Sequence, residues 1–186
     1  MGRIGVLVLL MTLAVLACKK YEDKPGVADL QNPYCNDPEA VNYNWGFPGK
    51  PDNTTCFYPD SVFGGTYIFS DTVYYSQDFT FARTQTDTIS ITRRSPDSRL
   101  KLSVEWKSCN IKMDFTADRF YKATADTLFG QDTIIRAGQP FCRQADTLTG
   151  FIMKDRNDDK RLKVNFTIRT DTGSKVLYLI GTAIKK

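Results

Sequence analysis

Asp37, Asn42, Asn44, Asp52 and Asn53 place five oxygen-bearing side chains in one short segment bracketed by Cys35 and Cys56. Calcium takes six to eight oxygen ligands from carboxylates, amides and carbonyls, so an ion could be held here. The alternative is that these side chains only fix turns by accepting backbone N–H groups. A second candidate is "DRNDDK", in which Asp155, Asn157 and Asp159 have the Asp-x-Asn-x-Asp spacing of a calcium loop. Lys160 stands where the tight-turn glycine belongs, and Phe166 where the closing bidentate Glu belongs. This stretch therefore reads as a polar connection between two strands. Calcium is the one cofactor that the sequence leaves open.

The chain contains no histidine. Hydrolases that use a Ser–His or Cys–His pair are thereby excluded, and with them most zinc hydrolases. Gly-rich phosphate loops, G-x-S-x-G elbows and S-x-x-K pairs are also missing from the sequence. Paired carboxylates could act as acid and base, but nothing in their spacing selects a pair, so an enzyme is not expected. Lys and Arg number 25 against 21 Asp and Glu, a net charge of +4 with the basic residues scattered. Phosphate binding needs a clustered basic face, so nucleic acid is not expected as a partner.

Cys18 directly follows the apolar run of residues 4–17, which Arg3 precedes. That is the layout of an export signal, and the run is too short for a membrane-spanning helix. Val15-Leu16-Ala17-Cys18 resembles the lipobox of bacterial lipoproteins. The resemblance implies removal of residues 1–17 and acylation of Cys18, with chains such as palmitate. Each buried CH₂ contributes about 0.8 kcal/mol, and several chains together give stable attachment. The alternative is an ordinary signal peptide with Cys18 as a spare thiol. Lys19 rather than Asp follows Cys18, so the resemblance points to the outer membrane. The periplasmic or surface face stays open, although Glu22-Asp23 is similar to acidic surface-export signals. Residues 18–33 are charged and contain Pro25-Gly26, and they read as a flexible tether.

Four further cysteines, Cys35, Cys56, Cys109 and Cys142, form an even set in a chain expected to be exported. Three pairings are available. Cys35–Cys56 with Cys109–Cys142 is preferred because each pair lies in its own compositional segment. A zinc site is the alternative, disfavoured without histidine or C-x-x-C. Residues 34–60 lack apolar periodicity and are dense in Asn, Asp, Pro and Gly, so a disulfide is their evident route to order. "CNDPEAVNYN", followed by "DNTTC", resembles a short module of Bacteroidota-type surface and secreted proteins, C-x-D-P-x-A-x-N-Y-N…D-D-G-S-C. Cys35, Asp37, Pro38, Ala40, Asn42, Tyr43, Asn44, Asp52 and Cys56 carry the match.

The elements that must position these groups are strands. Leu100, Leu102, Val104 and Trp106 alternate with Lys101, Ser103, Glu105 and Lys107. Ile111, Met113 and Phe115 alternate with Lys112 and Asp114, and Leu162, Val164, Phe166 and Ile168 with Lys163, Asn165 and Thr167. Such period-two patterns predict half-buried strands. Weaker candidates cover 66–75, 86–93, 119–123, 133–137 and 147–154. A last strand, 175–184, is apolar on both faces and should lie centrally or close a barrel. No segment has a convincing helical period. Residues 61–186 therefore predict an all-β domain, an antiparallel barrel or sandwich of eight or nine strands preceded by the disulfide-closed module. Six Asp-Thr pairs are expected at strand ends or turns.

Gly65-Thr66-Tyr67 resembles the first strand of lipocalin-like barrels. The resemblance implies a carrier in which Tyr67, Phe69, Trp106 and Phe115 line an apolar ligand pocket. Filling the core is the other role open to them. The functional expectation is a lipid-anchored, extracytoplasmic, non-catalytic binding module for a protein or glycan. The alternative is a carrier of a small apolar ligand.

Overall fold

The computed structural model describes residues 31–44, 49–127, 138–170 and 175–186, with Gln144 and Ala145 described by backbone alone. The signal segment, Cys18, most of the tether, residues 45–48 of the module, the expected strand at 133–137, Asp132-Thr133 and Asp171-Thr172 lie outside them.

Chain order begins with a two-residue parallel ladder, β1 (Pro33–Tyr34) against β2 (Lys50–Pro51), and a 3-10 turn over Asn53–Thr55. A short helix follows, α1 (Pro59–Phe63). The β domain then runs β3 (Gly65–Tyr75), β4 (Phe81–Ser95), β5 (Ser98–Trp106), β6 (Ile111–Ala117), β7 (Lys122–Ala125), β8 (Gln139–Phe141), β9 (Arg143–Lys154), β10 (Arg161–Arg169) and β11 (Val176–Lys185). Pairing proceeds β10-β11-β3-β4-β5-β6-β7-β9, and β9 also pairs with β10. The sheet thus closes on itself as an eight-stranded antiparallel barrel, with β8 added alongside β9.

β11 helps to close the barrel, paired with β10 and with β3; Leu179 and Ala183 point inward, while the outward Ile180 and Ile184 are 39% and 49% exposed. An eight-stranded barrel encloses a space just wide enough for side chains to fill. The strict alternation supplies that filling. Tyr67, Phe69, Ile89, Ile91, Leu102, Val104, Met113, Phe115, Leu148, Ile152, Leu162 and Phe166 are all buried in one cluster. Phe69 meets Trp106 edge-on at 5.2 Å, and Phe166 lies 5.9 Å from Phe115. The partner faces carry Lys101, Glu105, Lys112, Asp114, Lys163 and Asn165, none of them buried. A polar exterior around an apolar interior is the reverse of a lipid-facing barrel.

α1 closes one end. Pro59 sits at its start, where the missing N–H costs nothing. Phe63 is buried in the barrel cluster, and its carbonyl accepts the Tyr67 hydroxyl at 2.8 Å. Burial pushes that phenol up to about 12. At the opposite end, Cys109 after β5 is bridged to Cys142 before β9.

Some local expectations are corrected. Residues 119–121 belong to a turn rather than to the strand expected at 119–123, and β7 begins at Lys122. Asp118 Oδ1 accepts the Phe120 and Lys122 N–H groups at 2.8 and 3.0 Å, and Tyr121 adopts φ +67°, which ends the extended run. Asp71-Thr72, Asp87-Thr88 and Asp146-Thr147 lie inside β3, β4 and β9 rather than at strand ends. The barrel needs longer strands than the apolar pattern marks, so polar pairs are carried into the ladder.

Candidate functional site

The Cys35–Cys56 bridge closes the small module, and its Asx side chains act as turn supports. Asp37 Oδ1 accepts Glu39 N–H at 2.9 Å, while Oδ2 accepts the Tyr58 hydroxyl at 2.9 Å. Asn42 donates from Nδ2 to the Thr55 carbonyl at 2.8 Å and accepts Phe57 N–H at 3.0 Å. Asp52 caps the 3-10 turn by accepting the Thr54 N–H and hydroxyl, which hold its carboxyl below the usual range. Asn53 accepts Asn36 N–H at 3.2 Å. Asn44 contributes its backbone N–H to the Cys35 carbonyl. Calcium candidates Asp37 and Asn42 thus spend their side-chain oxygens on local donors, and Asp52 spends Oδ1. Among the described residues, no group of three or more Cys, Asp or Glu could hold a metal ion.

"DRNDDK" is the β9–β10 connection, as its spacing suggested. Asp155 Oδ1 accepts Asn157 N–H at 3.0 Å, Asp158 accepts Lys160 N–H at 2.9 Å, and Asp155 faces Lys163 Nζ at 3.7 Å.

Of the four aromatics named as a ligand pocket, Tyr67, Phe69 and Phe115 lie in the packed interior at 0% exposure. Trp106 alone of the four borders a cavity. This cavity, about 480 Å³, sits in the barrel mouth beside the Cys109–Cys142 bridge. Trp106, Phe141, Ile168 and Leu177 supply its apolar floor, and Arg83, Gln85, Asp87, Ser108 and Arg143 its polar wall. The wall is internally bonded. Arg83 Nε donates to Gln85 Oε1 at 3.1 Å, and Gln85 Nε2 donates to Asp71 Oδ2 at 3.2 Å. Ser108 donates to Asp87 Oδ2. Asp71 is buried, in phase with inward-facing Tyr67, Phe69 and Val73, and burial pushes its carboxyl up to about 6.

A second cavity lies at the other end, where the module meets the β6–β7 and β9–β10 turns. It measures about 720 Å³ and is lined by Val41, Tyr43, Arg119, Phe120, Tyr121 and the 154–159 connection. The module is fixed to the same end by Glu39, which accepts the Ser98 hydroxyl at 2.8 Å and Arg99 N–H at 3.0 Å. Arg99 completes the junction with Asp60 at 3.2 Å and the Tyr58 ring at 4.0 Å.

Sequence reasoning did not mark Arg83, Gln85, Phe141, Arg119 or Arg156. The first two could have been reached by extending the inward phase of Ile89 and Ile91 back along β4. Phe141 lies in the three-residue β8, too short to show a period, and Arg119 and Arg156 sit in strand connections, where period-two patterning gives no direction.

The strand order and the Cys35–Cys56 bridge define the class, an eight-stranded antiparallel β-barrel with a disulfide-closed amino-terminal module. No family model and no curated protein matches the chain. Among solved structures, a protein of unknown function from the DUF3598 family of Nostoc punctiforme is similar at TM-score 0.42 and 10% identity, covering 68% of this chain. The chain spans about half the length of that protein, 48%.

Proposed function

We propose that the protein is a lipid-anchored extracytoplasmic lipoprotein of the outer membrane whose barrel is a non-catalytic binding module. Cys18 is the attachment point, the residues between it and the module are the leash, and binding takes place at the surface and ends of the barrel. The packed interior carries this reading. Tyr67, Phe69, Phe115 and Phe166 occupy the space where a hollow carrier would hold its cargo. The polar exterior and the two disulfides suit a water-facing domain in an oxidising compartment.

A second reading, a carrier of a small amphipathic ligand, is favoured by the mouth cavity with its floor of Trp106, Phe141, Ile168 and Leu177. Two measurements test the pair. Replacing Cys18→Ser should move the protein from the membrane fraction to the soluble fraction; membrane association that survives refutes the anchor. Native mass spectrometry of the oxidised protein separates the binding modes. A bare mass favours the interaction module, and a co-purifying small-molecule adduct favours the carrier.

A further inference from the structure

The cleft between the module and the barrel contains two guanidinium groups that form no ion pair among the described residues, Arg119 and Arg156. Arg119 Cζ lies 5.5 Å from the Tyr43 ring centroid and 5.1 Å from that of Phe120. Two aromatic rings therefore hold the group in place. Its N–H donors meet no carboxylate among the described residues, and neither do those of exposed Arg156. Of the two acidic side chains of the cleft, Asp155 is taken by Asn157 N–H and Lys163, and Asp159 is fully exposed, with Lys154 Nζ 3.9 Å from it. The Tyr43 and Tyr121 hydroxyls have no hydrogen-bond partner among the described residues.

The lining is also held at some conformational cost. Tyr121 adopts φ +67°, a left-handed conformation uncommon for so bulky a residue. Asp118 fixes the turn by accepting two backbone N–H groups, and Lys154 N–H donates to the Tyr121 carbonyl at 2.9 Å. Phe120 is thereby presented to solvent at 66% exposure on the rim of the cleft. Strain that the surroundings over-determine tends to mark working sites.

We propose that this cleft binds an acidic saccharide, with Arg119 and Arg156 receiving its carboxylate and the aromatic rim its sugar rings. A guanidinium offers paired N–H donors that match a carboxylate in two parallel hydrogen bonds. The C–H faces of a pyranose pack on exposed rings such as Phe120, and the Tyr43 and Tyr121 phenols answer hydroxyl groups. A cavity of about 720 Å³ is within the range of ligand pockets. The inference rests on the binding-module reading and gives it a ligand class.

Calorimetry of the full-length protein in detergent tests it with tetragalacturonate as the acidic probe and maltotetraose as the neutral one. Tetragalacturonate should bind, and maltotetraose at least about tenfold more weakly. Added salt should weaken the acidic probe. Arg119→Ala should weaken tetragalacturonate about tenfold or more with an unchanged melting temperature, and Arg119→Lys should recover only part, because an ammonium cannot form the paired bonds. Phe120→Ala, at an exposed position, should weaken both probes. Arg83→Ala, at the mouth, should leave the affinity unchanged. Equal binding of the neutral probe, undiminished binding by Arg119→Ala, or no heat at millimolar tetragalacturonate overturns the inference. Loss of binding in Arg83→Ala instead would place the site at the mouth and overturn this inference while leaving the binding-module reading intact.

Discussion

Asp71→Asn should stabilise the protein at neutral pH and do so less in acid. Asp71 is 4% exposed inside the barrel. Gln85 donates to one carboxylate oxygen at 3.2 Å, and the other has no partner. Burial raises the carboxyl from its ordinary 3.8 to about 6, against the opposing pull of the Gln85 hydrogen bond and the Arg83 charge. The folded state therefore holds this proton more tightly than the unfolded chain does. As pH rises from about 4 to about 6 the unfolded state ionises first, so stability falls across that window and levels off above it. A rise of about two pKa units at about 1.36 kcal/mol each corresponds to roughly 3 kcal/mol by pH 7. An amide keeps the shape and the acceptor for Gln85 without the charge. Its extra N–H, left unpaired, costs about 1–2 kcal/mol, so a net gain of about 1–2 kcal/mol is expected at pH 7. Urea unfolding of both proteins from pH 4 to pH 8 gives the difference. Asp52, Asp78, Glu105 and Asp155, whose carboxyls are lowered chiefly by hydrogen bonds, titrate in both proteins and cancel. A difference that stays constant over that range would refute the buried-charge account.

The two disulfides should differ in what they stabilise. Cys109→Ser with Cys142→Ser opens a loop of sequence separation 33 at the barrel mouth and should lower unfolding stability by about 3–4 kcal/mol, read by denaturant midpoint. Cys35→Ser with Cys56→Ser, separation 21, should loosen the module while β-sheet circular dichroism persists, because the barrel core contains none of the module's residues up to Cys56. Gly150→Ala should prevent native folding or cost about 3 kcal/mol or more by thermal melting. Gly150 has φ +129°, and a Cβ there would stand 2.2 Å from the Asn165 carbonyl oxygen and 3.0 Å from the Phe166 ring.

The barrel was legible where one face is apolar and the other wet. The strands expected at 100–106, 111–115 and 162–168 are the cores of β5, β6 and β10, and their apolar phase is the phase that points inward. Barrel rather than sandwich was not legible, because it depends on β9 pairing with β10 on one side and with β7 on the other. No local pattern encodes that closure. The cysteine pairing could be read from the segments, whereas the docking of the module could not. It depends on Glu39 meeting Ser98 and Arg99, some sixty residues away in sequence. The cleft at the module end was least legible, since Arg119 and Arg156 lie in strand connections and come to one cleft only when those connections and the module converge.

Where local rules break is informative in itself. Alternation, turn chemistry and charge pairing agree through the middle of the barrel, and agreement at every level is what makes a sequence specify one fold. Two of the places where they disagree lie beside the cavities. At the mouth, Asp71 carries an inward carboxylate among apolar neighbours, braced by Gln85 and Arg83. At the module end, Tyr121 takes a left-handed backbone and Phe120 is turned out to water beside Arg119, which meets no carboxylate among the described residues. Neither departure helps the packing of a barrel that eight strands already fill. Each lies beside one of the cavities described at the barrel ends. A filled interior leaves those ends and the outer surface, rather than the barrel lumen, as the open part of the molecule.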